Sequence, residues 1–275
     1  MPELPEVTTV VKVIKPKILN KTILGINIFT PKIVKSDSVD NFQKKVKNQK
    51  INKVFNKAKY IVLELNEHVI ISHLRMTGKW VVEQAETYSY DRSWLRAEIS
   101  LDDQKFFRFY DARGFGTLDI YDKKDYQIVS GLDQLGPIPL NNQVSVDYLY
   151  SKTQKTNRAI KTLLLDQHII AGLGNIYVNE VLFLSKVLPD KPAKLLSRSQ
   201  VEDIINNSEQ VLQKAIAMNG TTISDFESLP GVKGEYQNEL LVHLRNNKKC
   251  KHCGSKILKT QVNNRGTYYC SVCQS

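Results

Sequence analysis

The 275-residue chain predicts an α+β protein: an N-terminal two-layer antiparallel β-sandwich with flanking helices, then a helical domain, then a β-hairpin stapled by a metal ion. Three observations carry this. Eight short β-rich runs separated by turn-like breaks fill residues 22–121, the spacing of a sandwich. Beyond residue 142 the apolar period becomes helical. All four cysteines lie in the last 26 residues as two Cys-x2-Cys pairs.

The first element is a helix that begins almost at the terminus. Leu4, Val7, Val10, Val11 and Ile14 recur at helical spacing, and Pro5 suits a first turn because the N–H it lacks would be unpaired there anyway. A small residue at position two is where an initiator methionine is normally trimmed, which would leave Pro2 with a free secondary amine. An α-amino group of pKa near 7.7 to 8.0 is roughly 10 to 20% neutral at pH 7, against about 0.04% for an ordinary lysine. Pro2 is therefore a candidate nucleophile, whose attack on a sugar C1′ can collapse to a cationic iminium. The unpaired N–H groups and positive dipole end of the helix favour ionised Glu3 and Glu6, and Glu3 is placed to move protons around the attacked carbon.

The β-rich runs cover residues 22–29, 51–55, 60–65, 68–74, 79–82, 95–101, 106–110 and 117–121. Three stretches at their ends are too specific to serve packing alone: Lys57-Ala-Lys59-Tyr60, His73-Leu-Arg-Met76-Thr-Gly78 and Asp111-Ala-Arg113-Gly-Phe115-Gly116. Loops at strand ends are where a scaffold presents function. A loop-like stretch containing Gly136-Pro137-Ile138-Pro139 marks a boundary. The expected division is a β-sandwich over 1–131, a linker over 132–145, a helical domain over 146–244 and a metal-stapled finger over 245–275.

Past the linker, Ile160, Leu163 and Leu164 form one apolar helical face, and Val178, Val181, Leu182 and Leu184 another. Between them lie two glycines before Asn175, read as an N-cap, which leaves backbone N–H groups exposed to receive one DNA phosphate. A third helix is expected over 199–218, followed by a glycine-bearing flap from Gly220 to Tyr236. Cys250, Cys253, Cys270 and Cys273 then have the spacing of a four-thiolate zinc site. They bracket a hairpin whose tip reads Asn263-Asn-Arg265-Gly266, and one arginine at such a tip suits a groove or phosphate probe.

The formal charge of +11 is unevenly spread. Residues 11–60 hold thirteen lysines against Asp37 and Asp40, so this stretch alone accounts for the imbalance. Nucleic acid is the natural partner of such a field. No signal-like segment or bilayer-length apolar run occurs, so the expected location is the cytosol, where clustered cysteines point to metal before disulfides.

Taken together, the Met-Pro-Glu-Leu-Pro-Glu-Val terminus, Ala58-Lys59-Tyr60, His73 to Gly78, Asp111 to Gly116, Gly172 to Glu180 and the cysteine finger resemble the formamidopyrimidine-DNA glycosylases, in order and over essentially the whole chain. The resemblance implies a bifunctional glycosylase and AP lyase of base-excision repair. Pro2 would attack C1′ of a damaged nucleotide, and the Schiff base would drive β- and then δ-elimination. The implied substrates are 8-oxoguanine and formamidopyrimidines, preferentially opposite cytosine. Glu3 would assist ring opening, Glu6 support the terminal amine, and Lys59 contact phosphate and sugar near the lesion. Asn175 and Arg265 would grip the flanking phosphates, Arg265 counting with Pro2, Glu3 and Lys59 in the catalytic set, and His73 would touch DNA. Met76, Arg113 and Phe115 match a wedge that fills the gap left by the flipped nucleotide, with Arg113 facing the orphaned base. The implied fold adds a helix-two-turn-helix domain. One structural Zn2+ would sit on Cys250, Cys253, Cys270 and Cys273, in a monomer acting on damaged double-stranded DNA at the bacterial nucleoid, with no membrane role.

The chain departs from the family pattern at Ala112 and Gly114, where many members have a proline and a second arginine, and at His243-Leu244-Arg245, often Tyr-Gly-Arg. Two rival readings are an endonuclease VIII-like glycosylase for oxidised pyrimidines and a zinc-finger protein that binds damaged DNA without cutting. Leu4, where the sister class commonly has glycine, and the complete wedge set oppose the first; Pro2, Glu3 and Lys59 oppose the second.

Overall fold

The computed structural model describes residues 1–222 and 233–275. It divides into two compact units, Met1–Asp133 with Asn219–Gly234, and Gln134–Met218 with Glu235–Ser275. Ten residues of the expected flap, 223–232, lie outside the described residues.

In chain order the first unit contains α1 (Leu4–Ile18), β1 (Ile23–Ile28), α2 (Val39–Val46), β2 (Lys53–Lys57), β3 (Tyr60–Glu64), β4 (His68–His73), β5 (Lys79–Glu83), β6 (Leu95–Leu101), β7 (Phe106–Tyr110), β8 (Thr117–Asp122) and α3 (Tyr126–Val129). The strands form two four-stranded antiparallel sheets, ordered β1-β6-β7-β5 and β2-β3-β4-β8. Strand β6 alternates in burial, as a strand with one solvated face should. Strands β3 and β4 are buried at nearly every position, the signature of a strand covered on both faces. Trp80 of β5 stacks on Phe107 at 4.1 Å and donates its indole N–H to Ser72 Oγ of β4 at 2.9 Å, tying one sheet to the other.

Helix α1 buries Val7, Val10, Val11, Ile14 and Ile18, packing against β2, β3 and β5. Each such side chain contributes roughly 1.5–3 kcal/mol of transfer free energy, so the helix carrying the terminus is held by its apolar face. The sequence reading missed α2, whose only buried residues are Phe42 and Val46 among charged neighbours. Its start signal was present: Ser38 is the N-cap, and its Oγ accepts the Asn41 N–H at 3.2 Å.

The second unit holds α4 (Val146–Thr153), α5 (Ile160–Leu164), α6 (Asn175–Leu184), α7 (Arg198–Ala217), β9 (Leu258–Val262) and β10 (Arg265–Tyr269). Helix α6 is buried along almost all of its length and packs against α5, α7 and β10. Its Glu180 carboxylate accepts the backbone N–H groups of Leu241, Val242 and His243 at 2.7, 3.1 and 2.8 Å. Burial raises the Glu180 pKa against these three bonds, which favour the charged form. Two expectations are corrected. The N-cap of α6 is Gly174 and Asn175 is its first helical residue, so the Asn175 side chain does not cap the helix. The hairpin turns on Asn263 and Asn264 alone, both at positive φ as a two-residue turn requires, and Arg265 opens β10 opposite Val262.

Candidate active site and nucleic-acid surfaces

In the first unit the amino end is clasped from two directions by one carboxylate. Glu6, 1% exposed, accepts the Glu3 backbone N–H at Oε2 (2.8 Å) and the Thr221 backbone N–H at Oε1 (2.7 Å). The capping box at the start of α1 and the chain segment after α7 thus share an anchor. Gly220, at φ +77°, makes this approach possible, since a Cβ there would lie 2.7 Å from Glu6 Oε1. Pro2 and Glu3 are buried beside it. The Met1 amino group has its pKa lowered from 8.0, by burial first, with Lys59 and Arg113 lowering it further and Glu3 and Glu6 opposing. Four charged groups named from sequence therefore act on the Met1 amine.

Lys59 reaches this place through a two-residue turn, Ala58-Lys59, between the paired Lys57 and Tyr60. Ala58 takes φ +50°, a position where glycine is usual, and Asn56 Nδ2 fixes the turn by donating to the Ala58 carbonyl at 3.2 Å and to Thr8 Oγ1 of α1 at 3.1 Å. Lys59 is 5% exposed. His73, paired with Tyr60 across β3 and β4, meets that ring edge-on at 4.8 Å. Its Nδ1 accepts the Arg75 N–H at 2.9 Å, which leaves the ring proton on Nε2. Burial first, then the charges of Arg75 and Lys59, lower its pKa to about 3. His73 is thus a neutral N–H donor at physiological pH.

Met76 and Phe115 are exposed at 37% and 54%, large apolar side chains on loops with no core to fill. The Arg113 guanidinium lies 5.1 Å from the Phe115 ring centroid. Along the 111–116 loop, Asp111, Gly114 and Gly116 face inward while Arg113 and Phe115 face out.

In the second unit, Asn175 and Arg265 are brought together through the backbone between them. The Gly266 carbonyl accepts from Asn175 Nδ2 at 3.0 Å and from Lys161 Nζ at 3.0 Å. Lys161, fully buried, also donates to Thr267 Oγ1 at 2.8 Å and Asn179 Oδ1 at 2.9 Å. Because that oxygen is engaged, Asn179 must turn its NH2 to His243 Nδ1 at 2.8 Å. Sequence reading missed Lys161; the only signal was a lysine inside an apolar helix.

The four cysteine sulfurs lie within 4.8 Å of one another, with Cys253 and Cys270 Sγ 3.5 Å apart and Cys250 and Cys273 Sγ 3.9 Å apart. Tetrahedral zinc with bonds of about 2.3 Å sets its thiolates about 3.8 Å apart, whereas a disulfide needs about 2.05 Å. These residues fit zinc, and the metal when bound would staple the two turns that bracket β9 and β10. The Ser255 hydroxyl lies 2.9 and 3.1 Å from Cys253 and Cys270 Sγ, as a donor to thiolate sulfur. Among the described residues this is the one cluster of three or more candidate ligands, and no helix is long and apolar enough to cross a membrane.

Three comparisons bear on this arrangement. Residues 1–118 match the family model for the formamidopyrimidine-DNA glycosylase N-terminal domain, 135–227 that for the H2TH domain of the same glycosylases, and 247–275 that for a zinc finger found in FPG and IleRS. The formamidopyrimidine-DNA glycosylase of Oceanobacillus iheyensis is 38% identical over 275 residues, spanning all of this chain and 98% of that protein. That of Mycoplasma mobile is 39% identical over 277 residues, spanning all of this chain and 99% of that protein. Among solved structures, a Lactococcus lactis FPG mutant in complex with a Fapy-dG containing DNA superposes with a TM-score of 0.93 at 32% identity. The Lactococcus lactis Fpg complex with an abasic site containing DNA gives 0.93 at 31%; in both cases all of each chain is covered.

Proposed function

Because the chain belongs to the formamidopyrimidine-DNA glycosylase family, a base-excision repair class acting on damaged DNA, we propose that it excises oxidised purines through the amine of a trimmed Pro2. The observation that carries this reading is the clasp of Glu6 on the amino end, with Pro2 and Glu3 buried beside it and Lys59 and Arg113 near enough for their charges to act on the Met1 amine that trimming would remove.

The Pro2 nitrogen attacks C1′, the glycosidic C–N bond breaks, and its electron pair leaves with the base, which takes up a proton. Displacement leaves an aminal at C1′: the Pro2 nitrogen sheds its proton, the C1′–O4′ bond breaks as O4′ takes up a proton, and the nitrogen lone pair closes the iminium. The iminium acidifies the C2′ hydrogen; its loss expels the 3′ phosphate oxygen, and a second proton loss at C4′ expels the 5′ phosphate oxygen. Glu3 is the group that moves protons at the sugar. Glu6 is an anchor, since both its oxygens accept backbone N–H bonds. Lys59 supplies charge toward phosphate, and His73 an uncharged donor. Met76, Arg113 and Phe115 fill the vacated stack, partly offsetting an unstacking cost of a few kcal/mol. Asn175 and Arg265 bind phosphate and set register, a contribution without base information. In this reading residues 1–131 carry the chemistry and residues 146–244 and 245–275 the grip on the duplex, in the bacterial cytoplasm with the nucleoid.

Borohydride should trap a covalent complex between the protein and abasic DNA, and a residue added ahead of Pro2 should abolish it. Efficient trapping by the extended protein would move the nucleophile to a lysine such as Lys59. Faster cutting of thymine glycol than of 8-oxoguanine opposite cytosine would move the substrate to oxidised pyrimidines.

A further inference from the structure

The loop carrying Arg113 and Phe115 lacks the two residues that would stiffen it in the family pattern, with Ala112 and Gly114 in their places. It is nevertheless held on three sides. From within, Asp111, fully buried, accepts at Oδ1 from the Thr77 hydroxyl and from the Arg113 N–H (3.2 Å), and at Oδ2 from the Gly116 N–H (2.7 Å). Thr77 Oγ1 also lies 3.2 Å from the Arg113 N, so the turn bearing Met76 and the loop bearing Arg113 and Phe115 share one carboxylate. From below, a Cβ on Gly116 would strike Phe109 Cζ at 2.5 Å, so the loop sits directly on the sandwich core.

The third hold is Arg96. Strand β6 is bulged there: Leu95 pairs with Tyr110 and Ala97 with Phe109, which leaves Arg96 without a partner on β7. A bulge re-aims the side chain of its extra residue. Here the guanidinium turns onto the loop that follows β7, with Nε donating to the Asp111 carbonyl at 2.8 Å and Nη2 3.5 Å from the Ala112 carbonyl. The bulge is pinned in turn, since the Arg96 carbonyl accepts the Phe29 N–H at 2.8 Å and the Trp94 carbonyl accepts the Asp111 N–H at 2.8 Å. Gly114 belongs to the same device. At φ +64° it brings the loop down so that a Cβ would lie 3.3 Å from Lys32 Nζ and 4.0 Å from Arg96 Nε, close quarters for the arginine of the family pattern.

We propose that Arg96, aimed by the bulge in β6, is a positioning residue that holds the 111–116 loop in the conformation needed to insert Phe115 and Arg113, replacing the restraint a proline at 112 would give. The inference rests on the wedge reading above and adds a residue to it. A loop ordered before binding does not have to be ordered at the cost of insertion, so the effect belongs in duplex opening and in discrimination of the opposite base, and not in the chemistry at C1′.

The test uses the full-length, zinc-bound protein under single-turnover conditions, where the rate constant does not depend on the active fraction. Arg96→Ala should slow excision of 8-oxoguanine opposite cytosine about tenfold, the scale of one lost charge-assisted hydrogen bond, and narrow the preference for cytosine over adenine as partner. Borohydride trapping on a single-stranded abasic oligonucleotide, which offers no stack to wedge, should stay unchanged. Adding Ala112→Pro to Arg96→Ala should restore the duplex rate to within about twofold of the parent, since proline fixes the φ that the guanidinium restrains indirectly. Normal duplex kinetics for Arg96→Ala, alongside a slow Phe115→Ala, would overturn the role of Arg96 and leave the wedge intact. A defect that Ala112→Pro does not relieve would overturn it too, because Arg96 would then be acting on the DNA itself. If Phe115→Ala is also without effect, the wedge reading falls and this inference with it.

Discussion

Replacing Gly220 by alanine adds one methyl group against the Glu6 carboxylate, and the structure sets its cost. The new Cβ would lie 2.7 Å from Glu6 Oε1, 3.0 Å from Cγ and 3.1 Å from Cδ, so the carboxylate must retreat. Retreat lengthens the bonds to the Thr221 and Glu3 N–H groups, and a hydrogen bond to a charged group is worth about 1.5–3 kcal/mol. At φ +77° the alanine also pays about 1–2 kcal/mol of left-handed strain, less about 0.4–1 kcal/mol regained because the unfolded chain is stiffer. The sum is about 2–4 kcal/mol, or roughly 5–15 °C in melting temperature for a unit of this size. Because the displaced group anchors the amino end, borohydride trapping on abasic DNA should fall well beyond what the melting shift explains when both are measured far below the melting point. A Gly220→Ala protein that melts and traps like the parent would refute the account of Glu6 as an anchor.

His73 is lowered from 6.5 to about 3 and is buried, so the unfolded chain binds its proton first: the stabilisation is complete above pH 6.5 and is lost as pH falls toward 3, at about 1.4 kcal/mol per pH unit. Denaturant titrations between pH 6.5 and 4 should show a shallower decline for His73→Gln than for the parent, and equal slopes would remove His73 as the source. Leu244 holds φ +58° with its side chain 49% exposed, where the family pattern has glycine; Leu244→Gly should relieve about 1–2 kcal/mol of strain against about 0.5–1 kcal/mol of added chain entropy, a small gain in stability, and a clear loss would show that the leucine is held by contacts of its own.

Much of the fold could be read directly. The eight strands of the sandwich fall within two residues of their expected positions because strands covered on one or both faces declare themselves through apolar content and the breaks between them. Helices α2 and α4 were not visible: each is eight residues long with two buried positions, too few to set up a period against lysine-rich surroundings. At the site, the residues that touch a reacting group or DNA in the proposed function carry distinctive chemistry at strand ends and were named from sequence. What escaped were the groups that hold them. The link from Glu6 to Thr221 crosses 215 residues, the grip of Arg96 depends on a bulge, and Lys161 is a cation inside a helix that looks like ordinary core. Sequence periodicity reports which face is buried; it does not report which distant N–H a carboxylate will accept.

The clasp on Glu6 also has a history in time. Its second donor lies 215 residues downstream, so on a ribosome adding about 5–20 residues per second the amino end waits roughly 10–40 s before that donor is made. Pro2, buried in the finished fold, is open to an aminopeptidase during that interval. If the proline amine is the nucleophile, synthesis itself schedules the trimming ahead of the closure, and a nascent chain stalled before Thr221 would display a processed terminus lacking its second anchor.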